Sequence, residues 1–469
     1  MKNTKNIVLI VTDDQRFDTI HALGNADVHT PTLDWLVENG TAFTQAHIPC
    51  GTCGAVCMPS RAMLFSGRTL FHLQNEGENI PPEHATLPQQ FKNHGYTCFE
   101  TGKWHNGTPA FTRSFTDGAN IFFGGMWDHW NVPTSRYDPT GEYDNVINFV
   151  ADFWHNNKPW QIHCDAFHPG IHSTELLTQT ALDFVTAHDA EKPFFLSLNY
   201  LAPHDPRTMP EKYMKMYDPS AITLPANCVA QHPFTFGVEE IRDETLAASP
   251  RDEAEVRRNL AEYYGMITHL DDQIGLLIQA LRDANILDDT LIVFTGDNGL
   301  AVGCHGLMGK QNNYDHSVRV PLLFCGPDIP KNQTSDALVY LLDLFPTLCD
   351  YMGWEVPASV EGKSFLKALH TPTYVHRTSL YFAYAGLVRA VKENHFKLIE
   401  YRSGTNQTQL FDLKADPFEQ NNLAHAAAYS ETLVHLRKKL LEYRDTWEDT
   451  NNPSTTEYWN AYQTALTEN

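Results

Sequence analysis

Short β-rich runs alternate with amphipathic helical stretches along this chain, and this alternation constrains the fold more than any other feature. Residues 6–11 read Asn-Ile-Val-Leu-Ile-Val, a pattern typical of a strand buried on both faces. Similar strand patterns lie at 96–99, 194–200 and 291–295, and amphipathic helix patterns lie at 31–39, 86–94 and 260–281. Strands separated by helices form mostly parallel sheets with both faces covered. The sequence therefore predicts an α/β fold with a large, mixed, mostly parallel sheet sandwiched by helices.

Polar residues follow four of the predicted strands at the point where each strand ends. These residues are Asp13 and Asp14, Lys103 and His105, His204, and Asp297 and Asn298. In open α/β sheets, ligands bind outside the carboxyl ends of the strands. Because four separate strands deliver polar groups to one edge, we expect a functional site there.

Part of this set offers only oxygen atoms as ligands, namely Asp13, Asp14, Asp297 and Asn298. Such ligands suit Ca²⁺ or Mg²⁺ better than zinc. The adjacent carboxylates at 13 and 14 repel each other in a partly buried site, and a divalent cation compensates that repulsion. The alternative is a solvated Asp-Asp turn, but a fully apolar strand directly precedes this pair. The sequence therefore predicts a metal site.

Residues 57–61 read Cys-Met-Pro-Ser-Arg and mark a candidate nucleophile at the start of a helix. Pro59 suits the first helical turn, and Gly67 can end the helix. Cys57 would then face free backbone N–H groups, a geometry that suits a bound anion, and Arg61 could reach back to the same anion. The alternative interpretation is a buried structural cysteine.

The composition excludes several functional classes. The 469-residue chain has 42% hydrophobic and 19% charged residues, which is typical of a soluble globular protein with two or more domains. Its net charge of −23 argues against binding to nucleic acid or to an anionic membrane. No apolar run approaches the roughly 20 residues that span a bilayer.

The chain has nine cysteines, an odd number, which argues against a disulfide framework in a chain of this length. Free cysteines indicate a reducing compartment. Cys50, Cys53 and Cys57 could form an iron–sulfur or zinc site, but no further ligand nearby completes a tetrahedral set. Residues 1–6 lack signal-peptide anatomy. We expect a cytoplasmic protein, or a periplasmic one if a leader has been removed.

The 57–61 motif, completed by Ser66-Gly67, resembles the signature of type I sulfatases, which belong to the alkaline phosphatase superfamily. Met58 departs from the small residues common at that position. The resemblance implies an alkaline-phosphatase-like fold and oxidation of Cys57 to formylglycine, whose hydrated aldehyde attacks sulfur. It also implies a partner, either a formylglycine-generating or an anaerobic sulfatase-maturing enzyme.

Further blocks of the chain are similar to the same family, at 101–107, 203–206, 295–299, 305–310 and 317–322. By resemblance, the acidic set holds Ca²⁺ together with the formylglycine oxygen, and Asp297 helps to deprotonate the nucleophile. Lys103 would neutralise a sulfate oxygen, and Lys310 would bridge sulfate and the leaving oxygen. His105 would take a proton from the diol, and His204 would protonate the leaving alcohol.

Each of these assignments has a simpler alternative. Lys103 and Lys310 could be solvated loop lysines, and His204 could cap a turn. His305 could either contact substrate or brace the Gly-rich loop around it.

The resemblance implies hydrolysis of a sulfate ester. Region 106–172, expected to be irregular, carries polar and aromatic residues that suit stacking on a sugar, including Trp127, His129, Trp130, Arg136, His163, Asp165 and His168. A small sulfated carbohydrate is therefore the preferred substrate, although these aromatics could merely pack the insertion. The alternatives are an aryl or choline sulfatase, a phosphonate or phosphodiester hydrolase of the same superfamily, and an inactive anion-binding homologue.

The family likeness extends to a small C-terminal subdomain. Residues 389–399 and 410–417 resemble strands of an antiparallel sheet, and 430–447 show a helical pattern with Leu433, Leu436, Leu440 and Tyr443. We expect a catalytic α/β domain at 1–365 and an α+β subdomain at 366–469.

Overall fold

The computed structural model describes residues 6–189, 191–402, 405–451 and 453–467, so the expectation for residues 1–5 lies outside the described residues. The strands are β1 (Asn6–Thr12), β2 (Gly40–His47), β3 (Cys50–Gly51), β4 (Thr97–Lys103), β5 (Asp117–Phe122), β6 (Pro133–Thr134), β7 (Val146–Phe149), β8 (Trp160–His163), β9 (Ala166–Phe167), β10 (Phe194–Asn199), β11 (Thr290–Gly296), β12 (Arg319–Cys325), β13 (Gln333–Ser335), β14 (Val339–Tyr340), β15 (Ser379–Tyr384), β16 (Val388–Glu393), β17 (Phe396–Arg402) and β18 (Asn406–Asp412). The α-helices are α1 (Pro31–Glu38), α2 (Cys57–Ser66), α3 (Leu87–Asn93), α4 (Thr108–Ser114), α5 (Ser173–Ala187), α6 (Glu211–Met214), α7 (Glu253–Asp283), α8 (Asp315–Val318), α9 (Leu344–Met352), α10 (Leu366–His370), α11 (Ser430–Thr446) and α12 (Pro453–Thr467).

The main sheet has nine strands in the order β13-β2-β12-β11-β1-β10-β4-β5, with β14 also paired to β2. Strands β11, β1, β10, β4 and β5 run parallel to one another, whereas β12 is antiparallel to both β11 and β2. This confirms the predicted mixed, mostly parallel sheet. The buried aliphatic side chains of β1 point alternately to the two faces, as strand geometry requires.

Helices cover both faces of this sheet. On one face, α1, α5 and α7 contribute Leu33, Leu177 and Leu270 to the same hydrophobic core as Val8 of β1. On the other face, α2, α3, α9 and a second sheet share one core with Leu9. The predicted sandwich is therefore confirmed. Among the described helices, none combines the length and the hydrophobicity needed to cross a lipid bilayer.

The second sheet has the order β18-β17-β16-β15-β3. Strands β15 to β18 are antiparallel, which confirms the predicted C-terminal α+β unit, and α11 buries Leu436 and Leu440 against it. The fifth strand, β3, is parallel to β15 and lies just before the Cys57 helix. The sheet thus reaches back to the N-terminal half of the chain, and the domain limits 1–365 and 366–469 stay a prediction.

Region 106–172 is more ordered than the sequence predicts. It contains α4 and the strands β5 to β9, and β5 is the edge strand of the main sheet beside β4. Four of its strands have only two to four residues, too short to produce a recognisable period in the sequence. The expectation of an irregular insertion is therefore wrong for this part of the chain.

Candidate active site

Sheet order explains why distant residues meet in one place. Strands β11, β1, β10 and β4 are consecutive neighbours, and they run in the same direction. Asp297 follows β11, Asp13 follows β1, His204 lies five residues beyond β10, and Lys103 ends β4. The structure therefore brings together at one sheet edge the polar residues that the sequence places after these strands.

Asp14 is held in a backbone conformation that few non-glycine residues adopt, with φ of 68°. Its N–H donates to Asp297 Oδ1 across 3.1 Å, and its carbonyl accepts the Tyr263 hydroxyl across 2.5 Å. Asn298 Nδ2 donates to Asp14 Oδ1 across 2.6 Å. These bonds fix the Asp14 carboxylate beside the neighbouring acidic groups.

Cys57 is the first residue of α2, as the sequence predicts. Val56 at the N-cap makes no side-chain cap, Pro59 lies in the first turn, and Gly67 ends the helix with φ of 64° and an N–H bond to the Met63 carbonyl of 2.8 Å. The side chain of residue 57 thus stands at the positive end of the helix dipole.

The Cys57 thiol is buried among cationic and polar groups. Lys103 Nζ lies 3.3 Å and His105 Nδ1 lies 3.6 Å from its Sγ. Burial raises the pKa of the Cys57 thiol, although Lys103 and Lys310 act in the opposite direction. Burial, followed by Lys103, holds the pKa of His105 well below its ordinary value, so its imidazole is neutral and can accept a proton.

Two lysines pair with the two adjacent aspartates. Lys103 Nζ lies 2.5 Å from Asp13 Oδ2, and Lys310 Nζ lies 2.5 Å from Asp14 Oδ1. Burial, the largest single effect, would lower the pKa of each lysine, but the anionic neighbours together outweigh it, with Asp13 first among them at Lys103 and Asp14 first at Lys310, so both pKa values are raised. Both lysines are buried and charged rather than solvated.

The predicted contact of Arg61 with a bound anion stays a prediction. Its guanidinium is held by protein groups, because Nε donates to Asp297 Oδ2 across 2.7 Å and Nη1 donates to the Lys103 carbonyl across 2.7 Å. The reason is electrostatic, because a buried carboxylate needs a buried cation. Ser60 supports the same residue by donating from Oγ to the Asp297 carbonyl across 2.5 Å.

The acidic residues fit a divalent cation. One ligand atom each of Asp13, Cys57 and Asp297 lie within 4.8 Å of one another, and the same holds for Asp13, Asp14 and His204. Asp13 Oδ1 and Asn298 Oδ1 are buried and find no hydrogen-bond partner among the described residues. Buried oxygens of this kind require a partner, and carboxylate and amide oxygens are ligands for hard cations.

His204 is oriented by backbone contacts on both sides. Its Nδ1 lies 2.8 Å from the Asp205 carbonyl, so this nitrogen is the donor and Nε2 remains for chemistry. Its Nε2 lies 3.6 Å from Asp14 Oδ2. His129 Nε2 lies 2.9 Å from the His204 carbonyl and fixes the loop from the other side.

A cavity of about 270 Å³ opens above Cys57. Its lining residues are Gly54, Ala55, Cys57, His105, Gly125, Met126, His204, Ile241, Arg242, Asp243, Lys310 and Gln311. A larger cavity of about 610 Å³ elsewhere is lined by Arg319, Arg377 and Lys392, whose charges are already paired with buried aspartates. The candidate site is therefore identified by the side chains that line the smaller cavity, and not by cavity volume.

His305 does not line this cavity. Its ring stacks on Tyr314 at a centroid distance of 3.8 Å, and its Nε2 lies 3.1 Å from Asn227 Nδ2. Burial lowers the pKa of His305 to about 3. These contacts correspond to the bracing alternative rather than to contact with substrate.

The aromatic residues of region 106–172 also lie elsewhere. Trp127 packs against Phe149 and Phe167, at centroid distances of 5.7 and 6.0 Å. Within the described cavity lining, that region contributes Gly125 and Met126. The structure thus gives no support to stacking of Trp127 on a sugar, because its ring is used in packing the insertion.

Several residues around the site escape prediction from the sequence. Tyr263 lies on α7, far from any motif, and Arg242 and Asp243 come from a stretch between Ile222 and Glu253 with almost no regular structure. Gln311 directly follows Lys310, and this adjacency was its one signal in the sequence.

Comparison with known families decides the assignment. The sulfatase family model matches residues 5–354, and a second model, for the C-terminal part of N-sulphoglucosamine sulphohydrolase, matches residues 303–446. The chain belongs to the sulfatase family. This sulfatase is a sulfuric ester hydrolase of the alkaline phosphatase superfamily, and enzymes of its family generally use formylglycine and a divalent metal ion.

Individual relatives are distant but span nearly the whole sulfatase chain. It is 27% identical to an arylsulfatase of Clostridium perfringens, over 93% of this chain and 94% of the relative. It is 24% identical to an N-acetylglucosamine-6-O-sulfatase of Bacteroides thetaiotaomicron, over 96% and 87%. A solved structure of a protein bound to its substrate D-glucosamine-2-N,6-O-disulfate superposes with a TM-score of 0.75 at 21% identity, covering 96% of this chain and 99% of that one. The last likeness establishes the fold.

Proposed function

We propose that this sulfatase cleaves the sulfate ester of a small carbohydrate, with formylglycine made from Cys57 as its nucleophile and Ca²⁺ as its metal ion, Mg²⁺ being the alternative. The observation that carries the proposal is the placement of Cys57 in a cavity that His105, His204 and Lys310 also line, with Lys103 Nζ 3.3 Å from its Sγ.

Asp13, Asp14, Asp297 and Asn298 would hold the metal ion, because their buried oxygens form the hard donor set described above. When bound, the ion supplies Lewis-acid polarisation and positive charge. Without it, three carboxylates face three cations, Lys103, Lys310 and Arg61. The cation therefore gives the pocket a net positive charge that favours a sulfate ester, even though the whole chain is strongly acidic.

The nucleophile requires a change at residue 57. Conversion of Cys57 to formylglycine removes sulfur and two hydrogen atoms and adds one oxygen. It is a two-electron oxidation in which the maturation enzyme would bring the electron acceptor and sulfur would leave as sulfide, and the hydrated aldehyde then supplies an oxygen nucleophile. The maturation partner would be a formylglycine-generating or an anaerobic sulfatase-maturing enzyme. The raised pKa of the buried thiol supports this proposal, because it argues against direct attack by a Cys57 thiolate.

Two histidines would move the protons. His204 donates from Nδ1 to the Asp205 carbonyl, so only its imidazolium form carries a second proton, on Nε2, and that form would pass the Nε2 proton to the leaving alcohol oxygen. His105 lies 3.6 Å from the side chain of residue 57, and its lowered pKa keeps it neutral. It can therefore accept the proton that residue 57 must lose before sulfate is released.

Lys103 and Lys310 would stabilise the charge that develops on sulfate. Both ammonium groups are buried, and they lie beside residue 57 and the cavity respectively. Fixed charges in a site from which water is excluded act most strongly where negative charge grows in the transition state. Arg61 would act indirectly, as a positioning residue that holds Asp297 in place.

A small saccharide fits the space above residue 57, since about 270 Å³ lies near the lower end of ligand pockets. The relative that acts as an N-acetylglucosamine-6-O-sulfatase supports this substrate class. The cytoplasmic location stays a prediction, and it would limit substrates to small imported saccharides.

A desulfation screen tests the proposal. The matured protein should release sulfate from at least one monosulfated hexose or hexosamine faster than from choline sulfate, with 4-nitrophenyl sulfate as a general reporter. An aryl phosphonate ester run in parallel distinguishes the phosphonate hydrolase alternative. Faster cleavage of the phosphonate than of every sulfate ester would contradict the proposal.

A further inference from the structure

A rim of charged side chains lines the same cavity as its catalytic floor, which is the set formed by residue 57, His204 and Lys310. Arg242, Asp243 and Gln311 line the cavity, and Asp205 lies behind them beside His204. Arg242 is 43% exposed at its side chain, whereas Asp205 and Asp243 are 9% and 13% exposed. The rim is therefore the part of the cavity that meets the alcohol half of a substrate.

One guanidinium serves two carboxylates at this rim. Arg242 pairs with both oxygens of Asp205, and its Nη1 also lies 3.0 Å from Asp243 Oδ1. Burial would raise the pKa of Asp205, but the hydrogen bond and charge of Arg242 together with the charges of His204 and Arg207 hold it well below its ordinary value. Lys310, Gln311 and His204 together overcome the effect of burial at Asp243 and lower its pKa. Both acids are ionised, so the three side chains together carry a net negative charge.

The Asp243 carboxylate is held firmly in place. Gln311 Nε2 donates to Asp243 Oδ2 across 2.7 Å, and Gln311 Oε1 accepts the Lys310 N–H across 2.9 Å. Gly309 lies so close that an added Cβ would be 2.9 Å from the Asp243 Cβ. The negative group is thus part of the same loop structure that positions Lys310.

A second guanidinium that acts on Asp205 does not change this balance. Arg207 contacts Asn259 rather than the cavity, and its charge also acts on Glu262. Arg207 has an acid of its own, and Lys310 and His204, which also act on Asp243 and Asp205, belong to the catalytic floor that meets the sulfate group. Taken by themselves, the three rim side chains Arg242, Asp205 and Asp243 carry an excess of one negative charge.

We propose that this rim selects the alcohol half of the substrate by charge, and favours neutral or cationic alcohols over alcohols that carry a second anionic group. The preferred class is then a monosulfated neutral or amino sugar, and uronates and N-sulfated or disulfated sugars are poor substrates. The inference deepens the proposed function and depends on it.

The physical reason is Coulombic. The sulfate group is fixed at one end by the positive floor, so any second substituent that reaches the rim lies near Asp243 and Asp205. At a few ångströms and an intermediate effective dielectric, like charges repel and opposite charges attract by enough to alter binding severalfold. The overall charge of −23 acts in the same direction on approaching polyanions.

The experiment uses matched substrates that differ in charge. Phenyl sulfates with a trimethylammonium, an acetamido or a carboxylate group at position 4 avoid the question of regioselectivity. A hexosamine O-sulfate with an ammonium, acetamido or N-sulfo group at carbon 2 repeats the comparison on a sugar. We expect kcat/KM to fall from cation to neutral to anion, by about tenfold between the extremes at low salt, and the preference to narrow as salt screens the charges.

Two variants with opposite expected effects distinguish a charge preference of the enzyme from differences in the intrinsic reactivity of the substrates. Asp243→Asn deletes a negative charge and should narrow the ratio of cationic to anionic turnover. Arg242→Gln deletes a positive charge at a half-exposed position and should widen that ratio. Asp288→Asn, at the amino end of β11 and distant from the cavity, is the matched control and should leave the ratio unchanged.

The outcomes separate the two proposals. If the matured protein cleaves either series without charge preference, or prefers the anionic members, the rim inference is wrong and the proposed function stands. If the ratio shifts in the same direction in both rim variants, the inference is also wrong. If neither series nor 4-nitrophenyl sulfate is cleaved, the proposed function falls and the rim inference falls with it.

Discussion

Arg61 and Asp297 form an ion pair beneath the nucleophile, with Arg61 Nε 2.7 Å from Asp297 Oδ2 and both side chains completely buried. The pair joins the nucleophile helix α2 to the end of β11, the two elements that must meet for residue 57 to face the metal site. Arg61 therefore links the first sequence motif to the second through a contact inside the protein.

Replacing Arg61 by Ala should destabilise the fold, because it leaves the Asp297 carboxylate buried and uncompensated. Loss of one partner of a buried ion pair costs about 3–5 kcal/mol in the free energy of unfolding. Urea denaturation measures this, with Arg258→Ala as the control, since that exposed pair with Glu255 should contribute less than about 1 kcal/mol. Equal effects of the two substitutions would contradict the role given to Arg61.

Removal of divalent ions should lower both activity and thermal stability. A ligand that binds only the folded state raises the free energy of unfolding, by about 2.7 kcal/mol at a concentration of 100 times its Kd. We expect EDTA to lower Tm and Ca²⁺ to restore it, as followed by scanning calorimetry. Asn298→Ala removes a buried oxygen that has no hydrogen-bond partner within the described part of the chain, and it should reduce the Ca²⁺-induced rise in Tm. An identical rise in that variant would exclude Asn298 as a ligand.

Gly309→Ala should disturb the catalytic loop. An added Cβ would lie 2.4 Å from Gln311 Oε1 and 2.9 Å from the Asp243 Cβ, so the loop that positions Lys310 must shift. A small displacement of catalytic groups can lower turnover by as much as about 100-fold, and we expect kcat/KM to fall at least about tenfold. Steady-state kinetics measures this.

Gly54→Ala is the comparison for stability, because its Cβ would meet no atom within 4 Å. It should change the free energy of unfolding by less than about 0.5 kcal/mol. If Gly309→Ala retained full kcat/KM, the close packing of this loop would have no role in catalysis.

A row of three buried histidines should make the protein sensitive to acid. The rings of His129 and His172 stack at 5.1 Å, and His172 and His269 lie 4.8 Å apart. Burial lowers the pKa of His172 to about 3 and that of His269 to about 2. In the unfolded chain, these groups titrate near 6.5.

Below about pH 6.5 the unfolded state binds protons on these histidines, whereas the folded state does not. The free energy of unfolding is therefore unaffected by these histidines above about pH 6.5, and it decreases as the pH falls below that value. We expect the urea midpoint to decrease between pH 7 and pH 5. His172→Asn should make that decrease shallower, since one histidine fewer is protonated on unfolding. A pH-independent midpoint over this range would contradict the assignment.

The sheet and its catalytic edge could be predicted because short stretches of sequence indicate each strand and the polar residues that follow it. The aliphatic run of β1 indicates a buried strand, and Asp13 and Asp14 follow its end directly. The carboxyl ends of neighbouring parallel strands lie at the same edge of a sheet. The residues that follow these strands can therefore be predicted to lie close together from the strand pattern alone. The nucleophile helix was equally readable from Pro59 and Gly67.

The rest of the site depends on contacts between distant parts of the chain. Arg61 belongs to the same five-residue motif as Cys57, yet its partner is set by the burial of Asp297, 236 positions away. Arg242 and Asp243 belong to an irregular segment, where no period links sequence to position. Trp127 shows the opposite error, because an aromatic residue near a site has the same sequence signal whether it binds a sugar or packs an insertion.

The most direct test of the central claim is mass spectrometry of the tryptic peptide that contains residue 57, taken from protein of known specific activity. We predict that the modified peptide, which lacks the sulfur and two hydrogens of Cys57 and has gained an oxygen, rises in proportion to sulfatase activity. Fully active protein in which residue 57 is found only as unmodified cysteine would contradict it.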